Sequence, residues 1–377
     1  MNDVTLSVAA LFGVSAQADA IDPRKYGETP LYAIQALWLF ALSVVVAGVW
    51  TSVDRRSARE VAATKWIRLL LRLGLAAQML EYGMTKIFPT QFPSPSLSTL
   101  VTPIGDLSMN GLLWASIGAA PGYGVFTGFA ELLAGVLLFV PRTALAGALV
   151  CLADLAQVLA LNLSYDIGLK LTTIHLIAIT LFLLAPDARR LWSLFVMGRA
   201  GPASTTSALF KDVTANRTAV WTQAAIGVGL IATFAYINLG FLKTVGQASP
   251  RSALYGIWNV ESLAVNGEAG PPELNDYDRR WRRAIFDTPD VMTFQRTDDS
   301  FARYGAVLGE SSRTLVLTKG DSRDWKATFT FTRVDDDRLI LEGAMDGHDI
   351  RAELQRVAFD TLPLLNSTFR WVRPVSP

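Results

Sequence analysis

Six stretches of this 377-residue chain are apolar over close to the length a helix needs to cross a bilayer, which limits its folds more than any other feature. A hydrocarbon core takes about 20 apolar residues in a helix, because backbone polar groups there must pair within their own segment. The runs fall at residues 32–51, 67–88, 123–140, 145–163, 171–185 and 220–239. The fifth is short, so it is expected to begin at Lys170 or earlier. With 51% hydrophobic residues and a mean hydropathy of +0.32, the chain is too apolar for an ordinary soluble protein. Its charge-dense, alternating sequence lies after Pro250. The expected organisation is an N-terminal segment at 1–30, a helical domain at 31–242 and a water-soluble domain at 251–377. Within the helical domain, 192–219 reads as a linker and 220–242 as the last helix. A weakly apolar stretch at 4–14 lacks a basic lead and reads as a surface helix rather than a cleaved signal.

Proline marks the span ends, since it cannot extend a helix without losing a hydrogen bond. Pro89, Pro93 and Pro95 close the second span, Pro141 the third and Pro186 the fifth. Positive residues alternate between the loops. Arg55, Arg56, Arg59 and Lys65 follow the first span, Arg142 the third, and Arg189, Arg190, Arg199, Lys211 and Arg217 the fifth, whereas residues 89–122 hold no Lys or Arg. Because positive loops stay cytoplasmic, both ends of the chain are expected outside, in the periplasm of a bacterial inner membrane. The net charge of +1 supplies no basic field for nucleic acid. The single cysteine, Cys151, sits in an apolar run and can form neither an intrachain disulfide nor a cysteine metal cluster.

Ionisable groups inside apolar runs cost a few kcal/mol each, so they need partners or water. The second span carries Glu81, Tyr82 and Lys86, the third Glu131, and the fourth Asp154, Gln157 and Asn162. Tyr165, Asp166, Lys170 and His175 lead into the fifth. In the orientation above, all but Asp154 and Gln157 fall in the outer half of the membrane, so four antiparallel helices are expected to share one polar pocket. Plainer readings stand beside this one. Lys86 can snorkel from a helix end, Asp166 and Lys170 can form an i,i+4 surface pair, Tyr165 can be an interfacial residue and His175 a structural histidine. Glu81, Glu131 and Asp154 lie deep within their runs. Arg68 and Arg72 read as interfacial anchors. Gly124 and Gly128 form a small-xxx-small pair suited to close helix contact.

The strings GMTKIF at 83–88, ELLAGVLLFVPR at 131–142, NLSYDIGLKL at 162–171 and LLAPDARRL at 183–191 resemble the DoxX family of bacterial four-helix membrane proteins. The resemblance spans residues 69–191, about a third of the chain, within a four-helix core at 67–191. It implies membrane redox chemistry, as in a thiosulfate:quinone oxidoreductase subunit. With no CxxC, no haem-ligand pair and no glycine-rich nucleotide loop, the chain would then need a bound quinone or a partner subunit to move electrons.

From Leu254 the pattern turns to period two. Short strands are expected at 256–265, 284–286, 291–296, 303–307, 314–318, 327–333, 338–345, 348–356 and 369–372, as in TFTFT at 328–332. Asp346–Gly347 between two alternating runs is a hairpin signal, and Asp335, Asp336 and Asp337 suggest another tip. Sequential strands with short turns favour an up-and-down antiparallel barrel. LYGIWNV at 254–260 resembles the GxW opening of lipocalin-like barrels, which implies that Trp258 closes one end against a late arginine, Arg370 or Arg373. Trp258 read alone is a core aromatic.

The expected fold is therefore a membrane all-α bundle of about six helices followed by an all-β, lipocalin-like barrel. One functional expectation is a redox-linked subunit binding a quinone or similar lipid in the outer pocket, with no metal. The alternative is a non-catalytic lipid-binding or scaffold subunit that docks a membrane complex through its β domain. No inverted repeat supports a transporter.

Overall fold

The computed structural model describes residues 30–53, 57–201, 208–244, 249–269, 280–320 and 322–366. The segments at 1–29, including the expected surface helix at 4–14, and at 367–377, including the expected strand at 369–372, Arg370 and Arg373, lie outside the described residues. By compactness the chain divides into two units. One comprises Met1–Phe88 with Gly122–Asn238, the other Pro89–Pro121 with Leu239–Pro377.

The first unit is helical: α1 (Pro30–Val53), α2 (Ser57–Ile87), α5 (Pro121–Phe139), α6 (Ala144–Ser164), α7 (Lys170–Leu184), α8 (Ala188–Phe195) and most of α9 (Val213–Phe241). Two shorter helices, α3 (Leu97–Leu100) and α4 (Met109–Ala119), belong to the second unit. Among the described residues five helical segments are long and apolar enough to cross a membrane: Tyr32–Ser52, Pro121–Phe139, Ala144–Ser164, Lys170–Phe195 and Val213–Phe241. The remaining expected span lies in α2, which is long but carries Arg68, Arg72, Glu81 and Lys86 along its apolar stretch. Its length comes from the polar turns before Ile67. The α-helix of the fifth span ends at Leu184, just ahead of Pro186 as expected. The chain tightens into a 3₁₀ turn at Ala185–Asp187, which absorbs the proline, and resumes as α8. That continuation explains how so short an apolar run reaches a crossing length.

Small residues set the distance between α2 and α5. A Cβ on Gly83 would lie 2.7 Å from the Gly128 carbonyl oxygen, and one on Gly128 would lie 2.8 Å from the Gly83 carbonyl oxygen. Without side chains there, the two backbones touch. Gly135, one further step of seven, meets Leu80 and Ala76 in the same seam. Around it Leu75, Met79, Leu80, Ala134, Leu138, Cys151 and Leu155 form the buried core of the bundle.

The second unit is an antiparallel sheet closed on itself. Strands β1 (Gly256–Val265), β3 (Trp281–Phe286), β4 (Val291–Arg296), β5 (Phe301–Gly309), β6 (Thr314–Lys319), β7 (Ser322–Arg333), β8 (Arg338–Met345) and β9 (His348–Arg356) pair in sequence, and β1 pairs with β9 to close an eight-stranded barrel. The two-residue β2 (Glu268–Ala269) folds back on the end of β1. At the β8–β9 turn Asp346 and Gly347 have φ of 52° and 78°, the double positive value a two-residue hairpin requires. Alternate residues fill the interior. Trp258, Phe286, Phe294 and Phe329 are fully buried there, and Trp281 stacks on Phe294 at 3.8 Å between ring centres.

Residues 89–122 read from sequence as a loop of the helical domain, yet Pro89–Pro121 packs on the outer face of this barrel. Leu97, with Leu100 and Val101 beside it, covers Ile257 and Ile285 of the neighbouring strands β1 and β3. The Leu97 amide donates to Asp287 at 3.0 Å and the Gln295 amide to the Val101 carbonyl at 3.2 Å. This long-range contact buries Ile257 and Ile285, which point away from the barrel interior.

Candidate functional site

The close approach of α2 and α5 carries Lys86 against Glu131. Lys86 sits one turn beyond Gly83, and Glu131 one turn beyond Gly128, so the seam that excludes side chains at the glycines sets these two long ones together. They form an ion pair, with Glu131 1% and Lys86 9% exposed. Lys86 Nζ donates to Glu131 Oε1, and its ammonium lies 6.0 Å from the centre of the Tyr82 ring. From α6, Asp154 interacts electrostatically with both members. Glu131 Oε2 and Asp154 Oδ2 are buried and accept no hydrogen bond.

One ammonium thus faces two carboxylates in a packed interior. One additional proton would make the cluster neutral, whereas a ligand that donates hydrogen bonds to the two open oxygens would satisfy them without changing the net charge. A buried acceptor left unbonded costs about 1–3 kcal/mol, so the cluster favours whatever satisfies it. Among the described residues no group of three or more His, Cys, Asp and Glu could hold a metal ion.

The other polar residues do not all converge here. Asn162 is buried and donates to the Thr173 hydroxyl at 2.9 Å, which ties the end of α6 to the start of α7. Glu81 is exposed and accepts from Gln78 at 2.9 Å. Gln157 is exposed, and Tyr165 is half-buried at the α6 C-terminus. Asp166 adopts φ 51° in the α6–α7 turn and accepts from Lys170 at 2.7 Å; this exposed hydrogen bond holds its carboxyl below the ordinary aspartate range. The surface-pair reading therefore describes Asp166 and Lys170. His175 faces away from the cluster. Its Nδ1 lies 2.7 Å from the Leu171 carbonyl oxygen, and its ring lines a mostly apolar groove of about 790 Å³ between α1 and α7, with Tyr32, Gln35, Phe40 and Leu169. A helix presents residues seven apart on one side, so Thr173 and Thr180 face the bundle core while His175 points elsewhere.

Several buried polar residues have only a faint sequence signal. Thr180 contacts Cys151 Sγ at 3.6 Å, and Gln223 of α9 accepts from Arg72 of α2. Polar residues seven apart in an apolar helix, as at 173 and 180, were the available clue. Arg72 bonded to Gln223 also departs from the simple anchor expected of it.

In the barrel, Trp258 stands between Ala284 of β3 and Arg356 of β9. The Trp258 indole donates to the Leu254 carbonyl at 2.9 Å, and the Arg356 guanidinium reaches the Tyr255 carbonyl at 3.4 Å. Arg370 and Arg373 lie beyond the described residues.

No family model matches the chain, and no solved structure matches it. A protein of Bacillus subtilis (strain 168) described as "Uncharacterized protein YwoB" is 34% identical over 137 residues, which make up 36% of this chain and 85% of the relative. The chain belongs to the YwoB family. YwoB is less than half as long as this chain, so the family includes a member too short to hold both a bundle and a barrel of the sizes seen here. The YwoB description assigns no activity, and the chemistry of the family rests on the geometry of its members.

Proposed function

We propose that the chain is a DoxX-like integral membrane protein of a bacterial inner membrane, with α2 as its sixth crossing helix and a lipocalin-like barrel on the periplasmic side. In this reading it serves a redox-linked complex by binding the ring of a quinol at the Lys86–Glu131–Asp154 cluster. The observation that carries the reading is the pair of buried carboxylate oxygens, Glu131 Oε2 and Asp154 Oδ2, that accept nothing. A quinol offers the hydroxyl donors they lack. On oxidation its two protons have these carboxylates as acceptors, while its two electrons pass to a redox centre of a partner subunit.

The test is to purify the chain in mild detergent, extract with organic solvent and measure quinone per chain. Near-stoichiometric quinone that falls to background in Glu131→Gln, at unchanged expression, supports the reading. Absence of quinone from the native chain overturns it. A second reading, a non-catalytic subunit that docks a larger complex, is favoured by the barrel interior, which side chains such as Trp258, Trp281 and Phe294 fill. Such a barrel offers its outer surface rather than a ligand chamber. Co-purification of neighbours without quinone would single that reading out.

A further inference from the structure

A second polar cluster lies on α2 well away from the first. Lys65, Arg68 and Arg72 stand at i, i+3 and i+7, on one face of the helix. Arg72 is about 21 Å along the axis from Lys86 at 1.5 Å per residue, so the two clusters are separate sites. Lys65 Nζ donates to the Ala208 carbonyl at 3.1 Å. The Arg68 guanidinium lies 5.6 Å from the centre of the Phe182 ring of α7. Arg72 donates to Gln223 Oε1 of α9, and Gln223 is itself steered by its own bond to the Ala219 carbonyl at 2.9 Å.

Among the described residues no carboxylate pairs with these guanidiniums. Each has five N–H donors. Between them they have one hydrogen-bond acceptor among the described residues, the Gln223 oxygen, and the Nε of both is buried and unbonded. The carboxylates of nearby elements are engaged elsewhere: Asp187 pairs with Arg190 at 3.7 Å, and Asp212 accepts from the Ala215 amide at 2.7 Å. Trp66, exposed, meets Phe210 edge-on beside the same stretch of α2. Aromatic side chains of this kind gather at the level of lipid headgroups.

We propose that Arg68 and Arg72 form a binding site for the phosphate of an anionic lipid headgroup, held between α2, α7 and α9. A phosphodiester presents two oxygens to a planar guanidinium fork, the bidentate match that arginine makes better than lysine. Basic pockets between membrane helices take anionic headgroups for this reason. The site rests on α2, α7 and α9 crossing a bilayer, and is independent of what binds at Glu131.

The experiment uses the full chain in mild detergent, with native mass spectrometry counting lipids retained from mixed phosphatidylglycerol and phosphatidylcholine. The native chain is expected to retain phosphatidylglycerol in preference. Arg68→Gln with Arg72→Gln should weaken that retention by about tenfold or more per arginine, as for charge-assisted hydrogen bonds, and leave phosphatidylcholine unchanged. Arg68→Gln alone breaks no protein hydrogen bond seen among the described residues, and keeps the test open if the double variant fails to fold. Equal retention of the two lipids by the native chain would overturn the proposal, as would a folded variant with undiminished preference. Displacement of the lipid by millimolar inorganic phosphate would reassign the site to free anions and end the lipid claim. Quinone content is measured separately and is expected to be unaffected by Arg68→Gln.

Discussion

Lys86→Met removes the only cation from a pair in which Glu131 is almost wholly enclosed. Breaking a buried pair from one side leaves an uncompensated charge, so the variant is expected to lose about 3–5 kcal/mol of stability, read as a lower thermal midpoint in detergent. Lys86→Met combined with Glu131→Leu removes both charges and should recover most of that loss, because apolar replacement of a whole buried pair is often neutral or better. A double variant no more stable than the single one would show that the ion pair itself, rather than its incompleteness, is what the bundle needs. The sequence singled out Glu131 by its depth, together with Glu81 and Asp154, and placed Lys86 and His175 in the same outer half of the span with plainer readings beside them. Depth along a helix is a one-dimensional property, whereas the face a side chain occupies depends on which neighbours pack there. His175 and Glu81 share the depth and not the face.

At the scale of elements, the α2–α5 seam depends on the absence of two side chains. Gly128→Ala places a methyl group 2.8 Å from the Gly83 carbonyl oxygen and 2.9 Å from Lys86 Cβ, so the helices must part. Overpacking of this kind costs about 1–3 kcal/mol. Because the displaced helices carry Lys86 and Glu131, any ligand retained at that pair should be lost along with stability. Gly74→Ala, where no heavy atom lies within 4 Å of the added carbon, is the matched control and should be nearly silent. In the barrel, Gly347 holds φ 78° at the β8–β9 turn, and Gly347→Ala should destabilise that unit by about 1–2 kcal/mol, monitored by tryptophan fluorescence during denaturation. The hairpin was legible because its turn chemistry is local. Strand positions 256–265, 291–296, 338–345 and 348–356 were legible for the same reason, since alternation is a property of adjacent residues.

For the molecule as a whole, the second unit joins residues far apart in sequence, and its stability should report that. Leu97 is 3% exposed against Ile257 and Ile285, so Leu97→Ala is expected to cost about 2–5 kcal/mol in unfolding of the barrel, although it lies some 160 positions from the first strand. An unchanged barrel midpoint would mean that Pro89–Pro121 only rests on the sheet. The pH dependence of the same unit follows from two surface aspartates and two tyrosines shifted by burial. The Arg338 hydrogen bond holds the Asp335 carboxyl below its ordinary 3.8, and the Ser300 hydroxyl does the same for Asp298. Their folded-state values lie below the unfolded ones, so their contribution is present above about pH 4 and is lost as pH falls through the folded values. Burial raises Tyr255 and Tyr304 above 10.0, so the folded state holds those protons longer. Their contribution is complete below pH 10 and is lost as pH rises beyond it. The barrel midpoint should therefore be flattest between about pH 4 and pH 10, and a titration with the steepest change near neutrality would contradict this assignment.

The sequence by itself determined the division into an apolar helical part and a charge-dense β part, most of the helix and strand positions, and the β8–β9 turn. All of these follow from short-range periodicity and from prolines and glycines whose backbone preferences need no partner. Only the tertiary structure decided that Gly83 meets Gly128, that Glu131 faces Lys86 while His175 does not, that Trp258 stands opposite Arg356, and that a stretch read as a loop covers one face of a barrel. Each of those is a contact between residues distant along the chain, fixed by which surfaces remain to be buried once the local elements have formed. No window of neighbouring residues contains that information.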